Sequence, residues 1–215
     1  MKSQRFKANS ILVASTLSFT VCFMVWMMLA IVGITVQEEM GFNQLHYGIL
    51  IALPVLSGSL IRVPLGILTD KYGGRIVLFA LMLISVPAIF LMQYATEYWH
   101  FLIIGLLMGL AGGSFSVGTP YVARWFPKHQ QGMAMGVFGA GNVGAALNQL
   151  VAPVLLVGFG WAAVPQMYAA LMLLTVIVFW GLSYPAPPKA HKPPMRWRQQ
   201  MRLLLEPKVL RYCQY

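Results

Sequence analysis

The sequence predicts an all-α polytopic membrane protein with six transmembrane helices. The chain is 59% apolar and only 9% charged, whereas a soluble domain carries about 25% charged residues. Its uncharged runs reach the length of about 20 residues that an α-helix needs to cross the hydrocarbon core of a bilayer. The charges are concentrated in short segments between these runs. Composition and spacing together exclude an ordinary soluble domain.

Six apolar runs give the individual helices. The last two share one uncharged stretch, which we divide at Gly158–Trp161 because a single helix of that length would overshoot the bilayer. The expected spans are Ile11–Val36, Tyr47–Thr69, Ile76–Tyr94, Trp99–Val122, Gln131–Val157 and Val164–Tyr184. Residues 1–184 are therefore interpreted as a transmembrane bundle, 185–208 as a basic, Pro-rich cytoplasmic linker and 209–215 as the start of a truncated seventh helix.

The charges in the loops predict the orientation of the bundle. Every Lys and Arg outside the apolar runs falls in alternate connecting segments. These are residues 1–7, 71–75, 124–128 and 185–211. The intervening segments carry only Glu38, Glu39 and Glu97. The positive-inside rule then places the N-terminus in the cytoplasm of a multi-pass protein of the cell (inner) membrane. This topology accounts for the net charge of +10, so nucleic-acid binding is not expected.

Arg62 is the single basic residue inside an apolar run. A guanidinium stays protonated in proteins, and at the centre of a bilayer it costs about 2.5–3.5 kcal/mol on insertion scales. It lies eight residues before Asp70, or about 12 Å along a helix, which places it near mid-membrane. Three interpretations remain open: the side chain extends to the cytoplasm, pairs with another helix, or binds a transported anion.

The segment between the second and third spans carries a motif with the spacing G-x3-D-[RK]-x-G-x-[RK]. Its defined positions are Gly66, Asp70, Lys71, Gly73 and Arg75. Asp70 can accept from a helix N-terminus or pair with a cation. Gly66 permits close helix contact, and either Gly73 or Gly74 permits a tight turn. The motif resembles the loop signature of the major facilitator superfamily. That resemblance implies a gating role for the loop and a bundle forming one half of that fold.

Small residues recur at every fourth position in the fourth and fifth spans. They are Gly105, Gly109 and Gly113, and then Gly132, Gly136, Ala140 and Gly144. Such faces let helix backbones approach closely in lipid, so packing is the simplest interpretation. Packing does not explain the amides of Asn142, Asn148 and Gln149 on the fifth span, because polar groups in hydrocarbon need partners.

The glycine-rich run and Arg62 together resemble the nitrate/nitrite porter family. The run matches its G-x-G-N-x-G signature, and Arg62 occupies the place of that family's Arg on the second helix. The matching residues are Gly139, Gly141, Asn142 and Gly144. The resemblance implies transport of nitrate and/or nitrite by alternating access. It implies substrate binding by Arg62, Asn142, Gly141 and Gly144, with the Phe115 ring covering the anion, although Phe115 can equally serve as packing.

The chemistry of these residues suits a small anion. The planar fork of a guanidinium matches a planar oxyanion bidentately, and Asn142 can donate to a further oxygen. No Asp, Glu or His lies deep in a predicted span, which favours nitrate/nitrite exchange over proton symport. A proton carried through the substrate site or by a missing half remains open. We expect no enzymatic activity, cofactor or metal.

Length is where the chain departs from the porter family, whose members have twelve helices in two halves. We therefore expect a partner, either a C-terminal six-helix half or, less favoured, a second copy of the chain. The alternatives are a major facilitator transporter of another small anion and a non-transporting membrane scaffold. A haem-binding redox subunit is rejected because no His lies in the middle of a span.

Overall fold

The computed structural model describes residues 2–186, which are almost entirely helical and contain no strands. Its nine α-helices follow one another along the chain. They are α1 Lys2–Met27, α2 Leu29–Met40, α3 Gln44–Tyr72, α4 Gly74–Leu91, α5 Tyr98–Met108, α6 Ser114–Ala123, α7 Gln131–Gly139, α8 Val143–Phe159 and α9 Ala163–Leu182. All but the first two residues of the predicted linker at 185–208, and the predicted helix start at 209–215, lie outside the described residues.

The helices combine into six segments that are long and apolar enough to cross a membrane, as the sequence predicts. Spans one to six are Gln4–Met40, Gln44–Tyr72, Gly74–Tyr94, Tyr98–Ala123, Lys128–Phe159 and Ala163–Leu182. The division between spans five and six is also confirmed, since α8 ends at Phe159 and Gly160 follows with a φ of +79°. Most spans are longer than predicted because their helices continue into the polar ends of the bundle.

Three of the spans are interrupted, which the sequence analysis does not anticipate. Met28 separates α1 from α2 in span one. Span four contains a 3₁₀ turn at Gly109–Gly113, and span five contains one at Ala140–Asn142. Glycine disfavours the α-helix by about 1 kcal/mol per residue, which accounts for the two glycine-rich turns. The interruption at Met28 has another cause, described below.

Spans one and four form the centre of the bundle, and spans two and five its most exposed sides. In the most apolar stretch of spans one and four 61% of the residues are buried, against 22% in span two and 17% in span five. Glycines bring span four against α3, since a methyl group at Gly109 would overlap Ser57 and one at Gly113 would overlap Leu65. The predicted packing role is confirmed for these two glycines.

The basic end of the bundle, where residues 2–7, 71–75 and 124–128 lie, is held by contacts to the end of α9. Arg75 on α4 donates to the Trp180 carbonyl (2.9 Å) and to Ser183 Oγ (3.0 Å), with its guanidinium 4.1 Å from the Trp180 ring centroid. A cation there satisfies the free carbonyls of the helix C-terminus. Tyr121 donates to the Tyr184 carbonyl at 2.6 Å, so α4 and α6 together fix the end of α9.

The opposite, acidic end has its own links between spans. Trp161 donates from Nε1 to a Glu39 carboxylate oxygen at 2.5 Å, and the Tyr98 hydroxyl donates to the His46 carbonyl at 3.0 Å. The two ends therefore carry the charges that the sequence analysis assigns to the two sides of the membrane. Which side faces the cytoplasm stays a prediction.

Candidate functional site

Arg62 lies on the exposed side of α3, with no hydrogen bond or ion pair to any other residue from 2 to 186. This separates it from two other arginines of the bundle. Arg75 is bound to the end of α9, and Arg124 forms an ion pair with Asp70 at 2.9 Å. Structural pairing of Arg62 with a neighbouring helix therefore finds no partner in the described part of the chain. Its guanidinium is available to a ligand.

Phe115, at the start of α6, joins a buried aromatic cluster while keeping part of its ring accessible. Its centroid lies 5.5 Å from that of Phe19 on α1 and 5.9 Å from that of Phe138 on α7. Phe19 and Phe138 are both 1% exposed, whereas Phe115 is 41% exposed. The packing and the ligand-covering interpretations of Phe115 are therefore compatible, because one part of the ring packs and another part faces outward.

Asn142 ends the 3₁₀ turn in span five and is exposed. Its side-chain nitrogen donates to the Gly139 carbonyl at 2.8 Å, which fixes the orientation of the amide. A carboxamide nitrogen carries two hydrogens, so one N–H donor is left for a ligand. The sequence predicts a donor of this kind next to the glycine-rich run.

Arg62, Phe115 and Asn142 lie in one layer of the bundle, which we call the site layer. Ile61, directly before Arg62, and Leu65, three residues after it, contact span four at Gly113, two positions before Phe115. Phe115 in turn contacts Phe19, and Phe19 is the residue that Gly141 faces. Asn142 is the next residue after Gly141 in the sequence. A cation, an aromatic ring and an amide donor are thus exposed at similar depth on spans two, four and five.

The other two predicted binding residues, Gly141 and Gly144, face inward. A methyl group at Gly141 would overlap the Phe19 ring, and one at Gly144 would overlap the Thr20 carbonyl. Both glycines are buried, so in this arrangement they set the distance between span five and α1. They contribute to the layer by allowing this close approach.

The outer glycines of span five differ from Gly144. A methyl group at Gly132 or Gly136 would meet nothing within 4 Å in the described structure. The packing face predicted from the four-residue spacing is therefore wrong for these two positions within residues 2–186. They lie on the exposed side of span five, where no other described helix covers them.

The loop motif adopts two of its three predicted features. Asp70 accepts from Arg124, so a cation is one of its partners. Gly73 has a φ of +86° and forms the turn between α3 and α4. The expectation for Gly66 is wrong for the described residues, because nothing lies within 4 Å of a methyl group placed there.

The remaining basic residues of the motif act at the same end of the bundle. Lys71 lies with its Nζ 4.8 Å from the Tyr72 ring centroid, and Arg75 binds the end of α9 as described above. Neither residue lies in the site layer. The charged part of the motif begins at Asp70, eight residues from Arg62 along α3, or about two turns.

Charge in the site layer comes from Arg62 alone among the described residues. Glu38, Glu39 and Glu97 lie at the acidic end, and Asp70 lies at the basic end. An anion at this depth would meet one cation and no carboxylate. The described residues contain no group of three His, Cys, Asp or Glu side chains that could hold a metal ion.

Sequence reasoning misses several residues that build the layer. Phe19, Phe23 and Trp26 follow one face of α1, and Trp26 donates from Nε1 to the Pro54 carbonyl on α3 at 2.9 Å. Their spacing of four and three residues is a helical-face signal that could have been found. The hydrogen bond that the Tyr168 hydroxyl donates to Asn148 Oδ1 at 2.7 Å could not have been found in this way, because it joins two spans that approach only in the folded bundle.

A family model described as Major Facilitator Superfamily matches residues 14–212. The chain belongs to the major facilitator superfamily. A bacterial homologue of the human lysosomal transporter Spinster, solved in an inward-facing and unoccupied conformation, superposes with a TM-score of 0.78 at 16% identity, covering 90% of this chain and 47% of that one. The likeness to this structure shows a shared fold. The predicted fold class, six membrane helices forming one half of a major facilitator bundle, is confirmed.

Curated relatives give a more specific similarity. The chain is 40% identical to a probable nitrate/nitrite antiporter of Thermus thermophilus, over 99% of this chain and 49% of the relative. It is 32% identical to a probable nitrate transporter of Staphylococcus carnosus, over 85% and 47%. A nitrite extrusion protein of Bacillus subtilis is 29% identical over 76% and 41%. The predicted resemblance to nitrate/nitrite porters is confirmed. The chain spans about half the length of these relatives.

Proposed function

We propose that this chain is the N-terminal half of a transporter that moves nitrate and nitrite by alternating access. The observation that carries the proposal is Arg62, an exposed arginine in the site layer of a membrane helix with no partner among residues 2–186. The names of the relatives, which specify nitrate or nitrite transport, support the identity of the anion. Residue roles in binding and gating are part of the proposal.

The three side chains of the site layer suit a planar monoanion. The guanidinium of Arg62 offers parallel N–H donors to two oxygens, and the free N–H of Asn142 can donate to an oxygen of the same ion. The accessible part of Phe115 gives an apolar wall. A single positive charge neutralises a single negative one, so nitrate and nitrite fit better than a dianion.

A second six-helix unit completes the proposed site. Spans two and five are the least buried, at 22% and 17% of their most apolar stretches, and they carry Arg62 and Asn142. In transporters built from repeats the substrate is held between the repeats near mid-membrane. The relatives are about twice as long as this chain, which favours a C-terminal half over a second copy as the partner.

The loop motif is the proposed gate at the basic end. The Asp70–Arg124 ion pair joins span two to the end of span four, and Asp70 is 46% exposed. Exposed pairs of this kind stabilise a protein by about 0–1 kcal/mol, so the pair can open and close during a transport cycle. We place this gate and the N-terminus on the cytoplasmic side of the inner membrane.

Exchange of nitrate for nitrite is the proposed transport mode. Within residues 2–186 the acidic side chains lie at the two ends, and so do His46, His100 and His129. Proton-coupled transport commonly uses a carboxylate or imidazole inside the membrane. The layer around Arg62 offers neither, whereas exchange of two monoanions needs only the one cationic site.

The test uses the complete gene product that contains this chain, in vesicles loaded with nitrite. Isotopically labelled nitrate uptake and nitrate binding are measured for the wild type, Arg62→Lys and Asn142→Ala. We expect Arg62→Lys to weaken nitrate binding at least tenfold, because the bidentate contact is lost, and Asn142→Ala to weaken it several-fold. Arg5→Lys is the matched control, since Arg5 is exposed at the basic end, and should bind nitrate normally.

Three results would contradict the proposal. Unchanged nitrate binding in Arg62→Lys would remove the arginine from the site. Absence of nitrate uptake and binding in the wild type would favour a non-transporting scaffold. If cyanate or chlorate competes with nitrate for binding more tightly than nitrite does, the site belongs to another small anion.

A further inference from the structure

Asn148, Tyr168 and the Met27 carbonyl form a buried polar cluster where spans five, six and one meet. Asn148 on α8 donates from Nδ2 to the Met27 carbonyl at 3.0 Å and accepts from the Tyr168 hydroxyl at 2.7 Å. Both side chains are 1% exposed. Buried polar groups at membrane depth need such partners, and here each amide atom of Asn148 has one.

This cluster coincides with the interruption of span one. In a continuous α-helix the Ile31 amide would bond to the Met27 carbonyl, four residues before it. Here the Ile31 amide bonds instead to the Met28 carbonyl at 3.1 Å. The Met27 carbonyl thereby loses its helical partner, and Asn148 supplies the replacement. No glycine or proline lies next to the break, so local sequence does not account for it.

The break divides span one into two parts with different contacts. The α1 part carries Phe19 into the site layer and is braced at Thr20 by Gly144. The α2 part is linked to α3, where the Tyr47 hydroxyl donates to the Ala30 carbonyl at 3.0 Å. Asn148 follows Asn142 by six residues on span five. Span five therefore contacts α1 beside the site and again at the break.

We propose that Asn148 and Tyr168 are positioning residues that hold the break in span one and so fix the angle between α1 and α2. Through this angle they determine how the acidic-end half of span one moves relative to the site layer during transport. The consequence for transport rests on the proposed function, whereas the local consequence at Met27 does not.

The cluster requires both the N–H donor and the C=O acceptor of a carboxamide at position 148. Alanine at position 148 would leave the Met27 carbonyl and the Tyr168 hydroxyl without partners. Phenylalanine at position 168 removes only the hydroxyl that orients the Asn148 amide, and keeps the ring. Thr175→Val is a matched control, because Thr175 is also buried on α9 but its hydroxyl donates only to the Leu171 carbonyl of the same helix, at 2.7 Å.

Hydrogen–deuterium exchange on the complete gene product in lipid nanodiscs tests the local effect. We expect the amides of residues 27–36 to exchange at least fivefold faster in Asn148→Ala and Tyr168→Phe, and at the wild-type rate in Thr175→Val. In nitrite-loaded vesicles the maximal rate of nitrate uptake should fall about tenfold in the first two variants, with the apparent affinity for nitrate within twofold of wild type, since no site-layer residue is changed.

The outcomes separate this inference from the proposed function. Unchanged or slower exchange at residues 27–36 in both variants would overturn it, and so would faster exchange spread evenly over all spans, which indicates general destabilisation. A tenfold loss of affinity without a loss of maximal rate would also overturn it. If the wild type transports no nitrate but the local exchange pattern is as expected, the proposed function fails and the role of Asn148 stands.

Discussion

Gly144 offers a direct test of how span five packs on span one. A methyl group at this position would overlap the Thr20 carbonyl and approach the Phe23 Cβ to 3.1 Å. The overlapping atom belongs to the α1 backbone, so it cannot rotate away as a flexible side chain would. Gly144→Ala therefore forces the two helices apart near Asn142.

The size of the effect follows from two opposing terms. Overpacking a well-packed core costs about 1–3 kcal/mol, and a backbone overlap belongs at the upper end. Replacing a glycine by alanine within a helix stabilises the helix by about 1 kcal/mol. The expected net loss is about 2 kcal/mol, or a factor of about 30 in the folding equilibrium. Gly158→Ala on the same helix is the control, because nothing lies within 4 Å of a methyl group there.

Thermal unfolding of the purified complete gene product in detergent measures the difference. For about 2 kcal/mol we expect the apparent Tm of Gly144→Ala to fall by roughly 2–4 °C, because the shift per kcal/mol becomes smaller as the protein becomes longer. The Tm of Gly158→Ala should stay equal or rise. Equal Tm values for the two variants would refute the close approach of span five to α1. A fall in both would show that the loss comes from the helix itself and not from the contact with Thr20.

Three further predictions concern the basic end. Asp70→Asn should lower the free energy of unfolding by less than about 1 kcal/mol but slow nitrate exchange. Adding Arg124→Ala should have little further effect on the exchange rate. If the two substitutions slow exchange additively, the ion pair is not the gate. Arg75→Ala removes charge-assisted hydrogen bonds and the stacking of the guanidinium on Trp180, so the free energy of unfolding should fall by about 1–3 kcal/mol. The measurements are a lower Tm and an altered Trp fluorescence spectrum. An unchanged spectrum would argue against the stacking. Gly73→Ala places a side chain at a φ of +86° and should lower the free energy of unfolding by about 1–3 kcal/mol, measured in the same assay. Wild-type stability of this variant would contradict the turn conformation at Gly73.

Local signals in the sequence predict most of the architecture. The six spans follow from uncharged runs whose length matches the bilayer, and the turn at Gly73 follows from a glycine between two apolar runs. The division at Gly158–Trp161 needs only the length limit of a membrane helix. Each of these features depends on residues that are neighbours along the chain, which is why the sequence suffices for them.

Features set by contacts between distant residues are not predictable in this way. Nothing near Met28 indicates a helix break, because the break is stabilised by Asn148, which lies on another span. The four-residue glycine spacing identifies a face of span five but not what covers it: Gly144 meets α1, whereas Gly136 meets nothing in the described structure. The position of Arg62 about two turns from Asp70 is predictable from their spacing on one helix, but its lack of a partner among the described residues is not.

The polar groups at membrane depth fall into two kinds, and the distinction bears on function. Both polar atoms of the Asn148 amide have partners inside the bundle, and such pairing stabilises the fold. Arg62 has no partner among residues 2–186, and a charge at mid-membrane costs about 2.5–3.5 kcal/mol on insertion scales. A ligand present at 100 times its Kd stabilises the state that binds it by about 2.7 kcal/mol, which is comparable. At such a concentration, binding of the proposed anion would offset the cost of an arginine at mid-membrane, whereas no contact within the described bundle does so.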